Sequence, residues 1–323
     1  FTLKSCHTLT TLKFERLLEV TQKESIIAEF DKQNLEVFFE GLKNEAFKPK
    51  IHQFFNRILA YVPFVKDYKF EIHSENSFPH SSGIASSASG MGALALNIMS
   101  LERTLNPNIS TEYFVKKASF LARLGSGSAC RSIEGPLIVW GEHNDYPKSS
   151  DLYGIRFPFK THEIFENFQD TILLVDQGEK EVSSTVGHQL MHGHPFAVTR
   201  FKQARNNMSL ISKVLQLGNL DQFIEIVESE ALSLHAMMQT SNPSYILMKP
   251  NTLHILEEIR KFRKESGANL CFTLDAGANV HLLYPENEKE FINNFIVNKL
   301  AQYCQENRYI CDELGTGAIQ ISS

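Results

Sequence analysis

The sequence lacks the signals that would send a protein into or across a membrane. Along its 323 residues, no apolar run approaches the length of about 20 residues that a membrane-spanning helix requires. No secretory signal peptide is visible near the start of the chain. We therefore expect a cytoplasmic protein.

Cysteine is scarce, and its pattern argues against two kinds of stabilising site. The five cysteines are odd in number, irregularly spaced and never arranged as CxxC. Neither a disulfide framework nor a zinc site has this pattern, which favours free thiols in a reducing compartment.

An excess of positive charge is also absent. The chain has 32 lysines and arginines against 37 aspartates and glutamates, so its net charge is −5. Nucleic-acid-binding proteins usually carry a basic patch, and nothing here predicts such a partner. A local basic pocket for a small phosphorylated substrate remains compatible with this balance.

The chain does have the composition of an ordinary globular protein. Hydrophobic residues make up 42% and charged residues 21%, and the length suits two domains or one large one. The sequence begins Phe1-Thr2-Leu3, without methionine and in a strand-like pattern. We therefore expect the natural protein to extend further upstream.

Strand and helix patterns alternate along both halves of the chain. The predicted helices are 47–61, 87–101, 111–123, 195–217, 220–238, 250–266 and 286–306, and the predicted strands are 7–14, 35–39, 68–73, 137–140, 171–175, 270–274, 280–284 and 309–311. A polar stretch at 141–150, followed by a new strand, indicates a boundary near 165–170. We predict two α+β domains, residues 1–167 and 168–323, with the active site in the cleft between them.

The first candidate site is a loop of small residues between a predicted strand and a predicted helix. It reads Gly83-Ile-Ala-Ser86-Ser87-Ala-Ser-Gly90. The unpaired N–H groups at a helix N-terminus favour an anion, and a triphosphate would suit this loop. The loop is neither a Walker A motif nor a GxGxxG fingerprint. Its composition fits a helix start packed closely on a sheet equally well.

The second candidate alternates glycine with serine before an arginine, as Gly125-Ser126-Gly127-Ser128-Ala-Cys-Arg131. The hydroxyls can donate to oxyanions, and the guanidinium can hold a carboxylate or phosphate with two charge-assisted hydrogen bonds. A flexible loop with a surface arginine is the alternative. The density of small residues beside one arginine favours a binding site.

The third candidate is an aspartate at the end of an apolar strand, in the stretch Leu274-Asp275-Ala-Gly277-Ala-Asn279. A strand can fix a catalytic carboxylate while the following turn admits a ligand. Taken alone, the pattern is better explained by an aspartate that closes the strand with an Asx-turn.

Together these stretches resemble the mevalonate diphosphate decarboxylases, a family of the GHMP kinase superfamily. Ser-Gly-Ser-Ala-Cys-Arg-Ser at 126–132 is similar to the family's more specific signature, and the loop at 83–90 also resembles the superfamily's phosphate loop. Residues 274–279 and 182–185 resemble two further family segments, so the resemblance covers essentially the whole chain. It implies a two-domain GHMP kinase fold, in which the N-terminal domain is like ribosomal protein S5 domain 2 and the C-terminal domain is ferredoxin-like.

The resemblance also implies an activity and the residues that perform it. The family uses ATP and Mg²⁺ to phosphorylate the 3-hydroxyl of mevalonate 5-diphosphate, which then loses phosphate and CO₂ to give isopentenyl diphosphate for isoprenoid biosynthesis. By position, Asp275 would be the base or orienting group, Arg131 would bind the substrate carboxylate, Ser126 and Ser128 would line the substrate, and Ser183 would touch its diphosphate. The ATP phosphates would be held by Gly83, Ala85, Ser86 and Ser87. No dedicated metal motif occurs, and a homodimer is implied.

Two departures and two alternatives accompany this interpretation. The family commonly has proline where Ala278 stands, and its substrate-binding lysine and tyrosine would lie upstream of Phe1. One alternative is a related enzyme that acts on mevalonate or phosphomevalonate, as a kinase or as a monophosphate decarboxylase. The other is a binding module without catalysis.

Three histidines lie close together in the sequence and raise the question of a metal site. His188 and His192 would share a helix face, with His194 close by. Three histidines could bind zinc, but the HExxH glutamate is missing. A solvated or substrate-edge cluster is the better interpretation.

Overall fold

The structure is a computed structural model that describes residues 1–18, 29–79, 84–178, 187 and 189–321. The chain divides into two compact units. The first unit comprises Phe1–Ser77, Ala85–Phe157 and Gly315–Ser323, and the second comprises Phe78–Ile84 and Pro158–Leu314. Among the described residues, no helix combines the length and the apolar character needed to cross a membrane.

Both units combine helices with strands. The α-helices of the described residues are α1 (Lys48–Ile58), α2 (Ser86–Leu105), α3 (Thr111–Gly125), α4 (Ala197–Leu217), α5 (Leu220–Gln239), α6 (Pro250–Ser266) and α7 (Lys289–Phe295). The strands are β1 (Thr8–Arg16), β2 (Leu35–Phe39), β3 (Leu42–Lys43), β4 (Tyr68–Asn76), β5 (Ile138–Val139), β6 (Ile155–Arg156), β7 (Gln169–Leu173), β8 (Cys271–Leu274), β9 (Val280–Tyr284) and β10 (Tyr309–Glu313). A six-residue 3₁₀ helix, Gly127–Ser132, follows α3.

The main sheet of the first unit has the strand order β1-β4-β2-β3. The strands β1 and β4 are antiparallel, whereas β2 runs parallel to β4. Leu35 and Val37 of β2 and Phe70 and Ile72 of β4 are buried at alternate positions, as the period of two along a strand requires. These side chains form one core with buried residues of α1, α2 and α3, so the three helices are anchored by a single apolar cluster.

The sheet of the second unit is antiparallel throughout, in the order β10-β7-β9-β8. Ile255 and Ile259 lie one helical turn apart on α6 and are fully buried. They share a core with Phe272 of β8 and Leu282 of β9. The end of β8, where Asp275 follows, is therefore attached to a well-packed part of the unit.

Most predicted elements are confirmed, and three keep their predicted bounds: the helix at 250–266 and the strands at 35–39 and 280–284. The predicted helix at 286–306 is wrong, because only Lys289–Phe295 is α-helical and the chain continues in short 3₁₀ and π turns. The backbone N–H of Gln305 donates to the carbonyl of Leu174 at 2.7 Å. This bond to the residue that follows β7 ties the end of the segment to another part of the unit, so tertiary contacts compete here with local propensity.

Candidate active site

The loop before α2 has an unusual backbone where the helix begins. Ala85 precedes the first helical residue, Ser86, and adopts the left-handed conformation, with φ 52° and ψ 37°. A non-glycine residue pays about 1–2 kcal/mol for this conformation. Among the described residues, no side chain caps the helix N-terminus. The first turn of α2 thus offers its N–H groups and the positive end of the helix dipole to a ligand.

A lysine from another helix reaches this helix start. Lys50 lies in the first turn of α1, and its Nζ donates to Oγ of Ser87 at 2.8 Å. Burial of the ammonium lowers the pKa of Lys50. No carboxylate of the described residues forms an ion pair with it. Ammonium, hydroxyl and helix N-terminus together form a site suited to an anion.

The three serines of the loop are not equivalent. Ser86 is half-buried and Ser87 is exposed. In contrast, the hydroxyl of Ser89 lies 2.6 Å from that of Thr8 on β1 and donates to the carbonyl of Ser86 at 3.1 Å. Ser89 therefore fastens α2 to the sheet, and the first two serines remain as candidate ligands for phosphate.

The arginine segment, Ser126–Ser132, directly follows α3. Ser126 is extended, with φ −154° and ψ 126°, and the 3₁₀ helix starts directly after it. Ser126 and Ser128 are half-buried, whereas Arg131 is exposed. Within the described ranges, no hydrogen bond, ion pair or cation–π contact holds the Arg131 side chain. Its guanidinium is available to an anionic ligand.

A buried serine supports this segment from behind. Ser119 of α3 is 1% exposed, donates to the backbone carbonyl of Cys130 at 2.9 Å and accepts from the N–H of Gly154 at 2.9 Å. Burial raises the pKa of Cys130 to about 11. A thiol with such a pKa stays protonated and is a poor nucleophile, so this cysteine contributes packing and the adjacent Arg131 contributes charge.

Glycines bring the arginine segment and the phosphate loop onto the same helix. A Cβ atom on Gly92 of α2 would lie 3.0 Å from Cβ of Ser132, and one on Gly125 would lie 2.6 Å from Sδ of Met91. These close approaches need residues without side chains. Gly92 lies six residues after the start of α2, about 9 Å along the axis. Both candidate sites of the first unit are thus built on one helix.

In the second unit, Asp275 directly follows β8 and is half-buried. Its backbone carbonyl accepts two hydrogen bonds, one from the N–H of Gly277 at 2.8 Å and one from Nε2 of His235 at 3.1 Å. The turn that follows is therefore held through the main chain. The sequence pattern did not indicate His235, which lies 40 residues away.

Two further hydrogen bonds hold the residues that follow Asp275, at Ala278 and Asn279. The hydroxyl of Thr252, a buried residue of α6, donates to the carbonyl of Ala278 at 2.6 Å. Oδ1 of Asn279 accepts from the N–H of Asp176 at 2.9 Å. A hydrogen bond thus holds the turn at Ala278, where the resembling family commonly has proline.

Some sequence-based candidates are not tested by these contacts. Gly83, Ser183 and His188, and with them the segment 182–185, lie outside the described residues. His194 is described and is 8% exposed. Its Nδ1 accepts from the N–H of Phe196 at 3.1 Å, and its Nε2 lies 3.2 Å from the carbonyl of Met237. This ring has structural partners and is not solvated.

The sequence of each half matches a domain family. Residues 1–152 match the family described as diphosphomevalonate decarboxylase-like N-terminal domain, and residues 171–319 match the mevalonate 5-diphosphate decarboxylase C-terminal domain. The chain belongs to the mevalonate diphosphate decarboxylase family. The resemblance inferred from the motifs is therefore confirmed over nearly the whole chain.

Individual relatives agree with this assignment. The chain is 28% identical over 250 residues to the diphosphomevalonate decarboxylase of Ganoderma lucidum, a match that covers 75% of this chain and 60% of the relative. It is 30% identical over 236 residues to that of Aspergillus fumigatus, which covers 72% of this chain and 55% of the relative. The matches thus span less than two thirds of these curated relatives.

A solved structure of MDDEF in complex with MVAPP, AMPPCP and magnesium has the same fold. It superimposes with a TM-score of 0.78 at 25% identity and covers 98% of this chain and 87% of that one. The predicted two-domain fold of the GHMP kinase superfamily is confirmed.

Proposed function

We propose that this protein catalyses the ATP-dependent decarboxylation of mevalonate 5-diphosphate to isopentenyl diphosphate, a step of the mevalonate pathway of isoprenoid biosynthesis. The observation that carries the proposal is the match of both halves to decarboxylase domain families. It is supported by Arg131, which is exposed in the family's specific segment, and by Asp275, which follows β8 on a hydrogen-bonded turn.

ATP phosphates would occupy the start of α2, and the residues present fit this role. Ala85, Ser86 and Ser87 would bind the phosphates together with Gly83, and we add Lys50 because its ammonium contacts Ser87. When bound, ATP supplies the phosphoryl group that turns the substrate hydroxyl into a leaving group. Lys50, the hydroxyls and the helix N-terminus offset the negative charge of the phosphates.

Magnesium would be held differently from a resident metal. In the described part of the chain, no three His, Cys, Asp or Glu side chains are grouped so that they could hold a metal ion. Mg²⁺ in phosphoryl-transfer sites keeps several waters and is bound largely by substrate phosphates. The serine hydroxyls fit this mode, and we propose that the metal arrives with the nucleotide.

The substrate would be held by its two acidic ends. Arg131 would pair with the carboxylate, a planar group that matches the guanidinium fork. Ser126 and Ser128 would line the substrate, and Ser183 would contact its diphosphate. Asp275 would accept or orient the proton of the tertiary 3-hydroxyl, since phosphoryl transfer depends on a positioned nucleophile. In the phosphorylated acid, the bond to the carboxylate would then break to release CO₂, its electron pair would form the new double bond, and phosphate would leave with the electrons of its C–O bond.

The setting of this activity is part of the same proposal. We place it in the cytoplasm, in a homodimer without nucleic-acid or membrane partners, and with domains at residues 1–167 and 168–323. The family assignment and the mildly acidic net charge of −5 support these statements.

A substrate panel tests the proposal. The full-length protein would be incubated with ATP, Mg²⁺ and either mevalonate, 5-phosphomevalonate or mevalonate 5-diphosphate, and ADP release would be followed. We expect turnover with the diphosphate. Preference for mevalonate or the monophosphate would favour the related-enzyme alternative. Nucleotide binding without turnover of any of the three would favour the binding module.

A further inference from the structure

A buried histidine lies directly behind Asp275 and has no role in the proposed reaction. His235 projects from α5 and is 1% exposed. Its Nε2 lies 3.1 Å from the backbone carbonyl oxygen of Asp275. The other ring nitrogen, Nδ1, has no hydrogen-bond partner among the described residues.

This geometry determines the tautomer of the ring. A carbonyl oxygen only accepts, so Nε2 carries the proton. A neutral imidazole has one such proton, and in the part of the chain that the structure describes no donor reaches the buried lone pair on Nδ1. Burial lowers the pKa of His235, and the neighbouring Asp275 only partly offsets this shift. The ring is thus a neutral donor of one hydrogen bond, directed at one acceptor.

Burying the polar ring of His235 at this position lowers the stability of the fold unless its one hydrogen bond has a function. The buried residues of α5 nearest to it in sequence, Ala231, Met237 and Met238, are apolar, whereas the buried Glu228 two turns earlier is paired with Arg263. A leucine would fill such a place without leaving a buried polar atom unpaired. The advantage of histidine must therefore lie in the bond to Asp275.

That bond completes the fixation of the backbone around Asp275. The carbonyl oxygen also accepts from the N–H of Gly277 at 2.8 Å, so both of its lone pairs are used. On the other side of Asp275, Leu274 is paired with Val280 in the β8–β9 ladder. With the chain held before and after it, the direction in which the Asp275 side chain leaves the backbone is fixed.

We propose that His235 is a positioning residue, which orients the Asp275 carboxylate by holding its backbone carbonyl. The inference rests on the proposed function, because it assumes that Asp275 orients the hydroxyl that is phosphorylated. Displacement of a reacting group by about 1 Å can lower the rate roughly a hundredfold without loss of binding.

Two substitutions at the same position separate positioning from packing. His235→Leu removes the donor and keeps an apolar filling. His235→Gln keeps an amide N–H donor at about the reach of Nε2. We expect kcat of the leucine variant to fall about 10- to 100-fold, with KM for both substrates changed less than about threefold. The glutamine variant should recover about tenfold of that loss.

Thr252→Val is the matched control, because it removes a different hydrogen bond from the same turn. It deletes the bond to the carbonyl of Ala278 and the bond that the hydroxyl accepts from the N–H of Lys249 at the start of α6, and it leaves the carbonyl of Asp275 untouched. We expect it to lower the melting temperature but to change kcat less than about threefold. Assays would be run where all variants are folded. A leucine variant with the parent's kcat, or a glutamine variant no better than leucine, would overturn the proposal.

A second readout keeps this test independent of the reaction. If the parent protein turns over no mevalonate derivative, the proposed function fails, and amide hydrogen exchange of Gly277 then decides the His235 proposal. We expect about tenfold faster exchange at Gly277 in His235→Leu and no change in Thr252→Val. Equal exchange in the parent and both variants would show that His235 does not hold this turn.

Discussion

Arg131 in the first unit and Asp275 in the second are the two proposed reactive residues, and the backbone at each is held by a buried side chain. The two buried side chains differ in how many of their own hydrogen-bonding groups are used. In each case a buried helical side chain bonds a backbone carbonyl, that of Cys130 beside Arg131 or that of Asp275 itself. Ser119 also accepts a hydrogen bond from Gly154, so both of its functions are used. Nδ1 of His235 has no second partner of this kind within the described ranges.

The difference reflects what each reactive group needs. An arginine has a long side chain and can adjust to a carboxylate from an approximately placed backbone. An aspartate has only two rotatable bonds, so an error in its backbone passes directly to the carboxylate. A hydrogen bond to the carbonyl of Asp275 itself therefore outweighs the cost of leaving Nδ1 of His235 without a partner among the described residues. For Arg131, a bond to the carbonyl of the preceding residue is sufficient.

Asp275→Asn should have the largest effect, because it removes the charge and keeps the size. We expect kcat to fall by about two to four decades, the contribution of a positioned acid–base group, while substrate and ATP binding change far less. Steady-state kinetics and a binding titration would measure both. Asp176→Asn is the control, since Asp176 also follows an apolar strand and its carboxylate accepts from the N–H of Gly178. Turnover near the parent's rate in Asp275→Asn would reopen the binding-module hypothesis.

Arg131→Lys should come next. It keeps the charge and loses the two-pronged contact with the carboxylate, worth about 1.5–3 kcal/mol or roughly 10- to 150-fold in kcat/KM. Arg16, an exposed arginine at the end of β1, provides the control Arg16→Lys, for which we expect no change. Near-normal activity of Arg131→Lys would contradict the assignment, and a matching loss of thermal stability would indicate a structural role.

Ser119→Ala should have a smaller effect, and this effect should be mainly a lower free energy of unfolding. It leaves the carbonyl of Cys130 and the N–H of Gly154 without this partner, which costs about 1–3 kcal/mol of unfolding free energy. Chemical denaturation would measure the loss, with the buried Ser212→Ala as control. If Ser119→Ala lowered kcat as strongly as His235→Leu, the contrast between the two supports would be wrong.

The smallest effect should appear in the pH dependence of stability. Because burial lowers the pKa of His235 from 6.5, the folded state binds fewer protons than the unfolded state below that value. This contribution to stability is complete above pH 6.5 and is lost as the pH falls below it. Denaturation of the parent and of His235→Gln from pH 7.5 to 5.5 would show it, because the glutamine variant lacks this component. Parallel pH profiles would contradict the assignment.

Local sequence patterns predict where helices and strands lie more accurately than they predict which residues of different elements contact each other. The helix at 250–266 begins with Pro250 and is followed by Gly267, which has φ +73°, so start and stop signals coincide with the apolar period. The strand predicted at 280–284 also has the predicted bounds in the structure. The predicted helix at 286–306 is α-helical only to Phe295, and its last residues are held by a bond from Gln305 to Leu174, more than a hundred residues earlier, which no local pattern indicates.

The candidate site was predictable where one segment carries it and not where two segments meet. Ser87, Arg131 and Asp275 stand in recognisable stretches. Lys50 lies 37 residues from Ser87, and His235 lies 40 residues from Asp275. No periodicity relates residues on different elements, so only the folded chain shows that these side chains meet.

The balance of products tests the central claim most directly. The full-length protein would be given ATP, Mg²⁺ and mevalonate 5-diphosphate labelled at the carboxyl carbon, and labelled CO₂, inorganic phosphate and ADP would be measured in one sample. The account predicts that the three are released in equal amounts. Release of ADP with a stable phosphorylated acid, and without CO₂, would contradict it and identify a kinase.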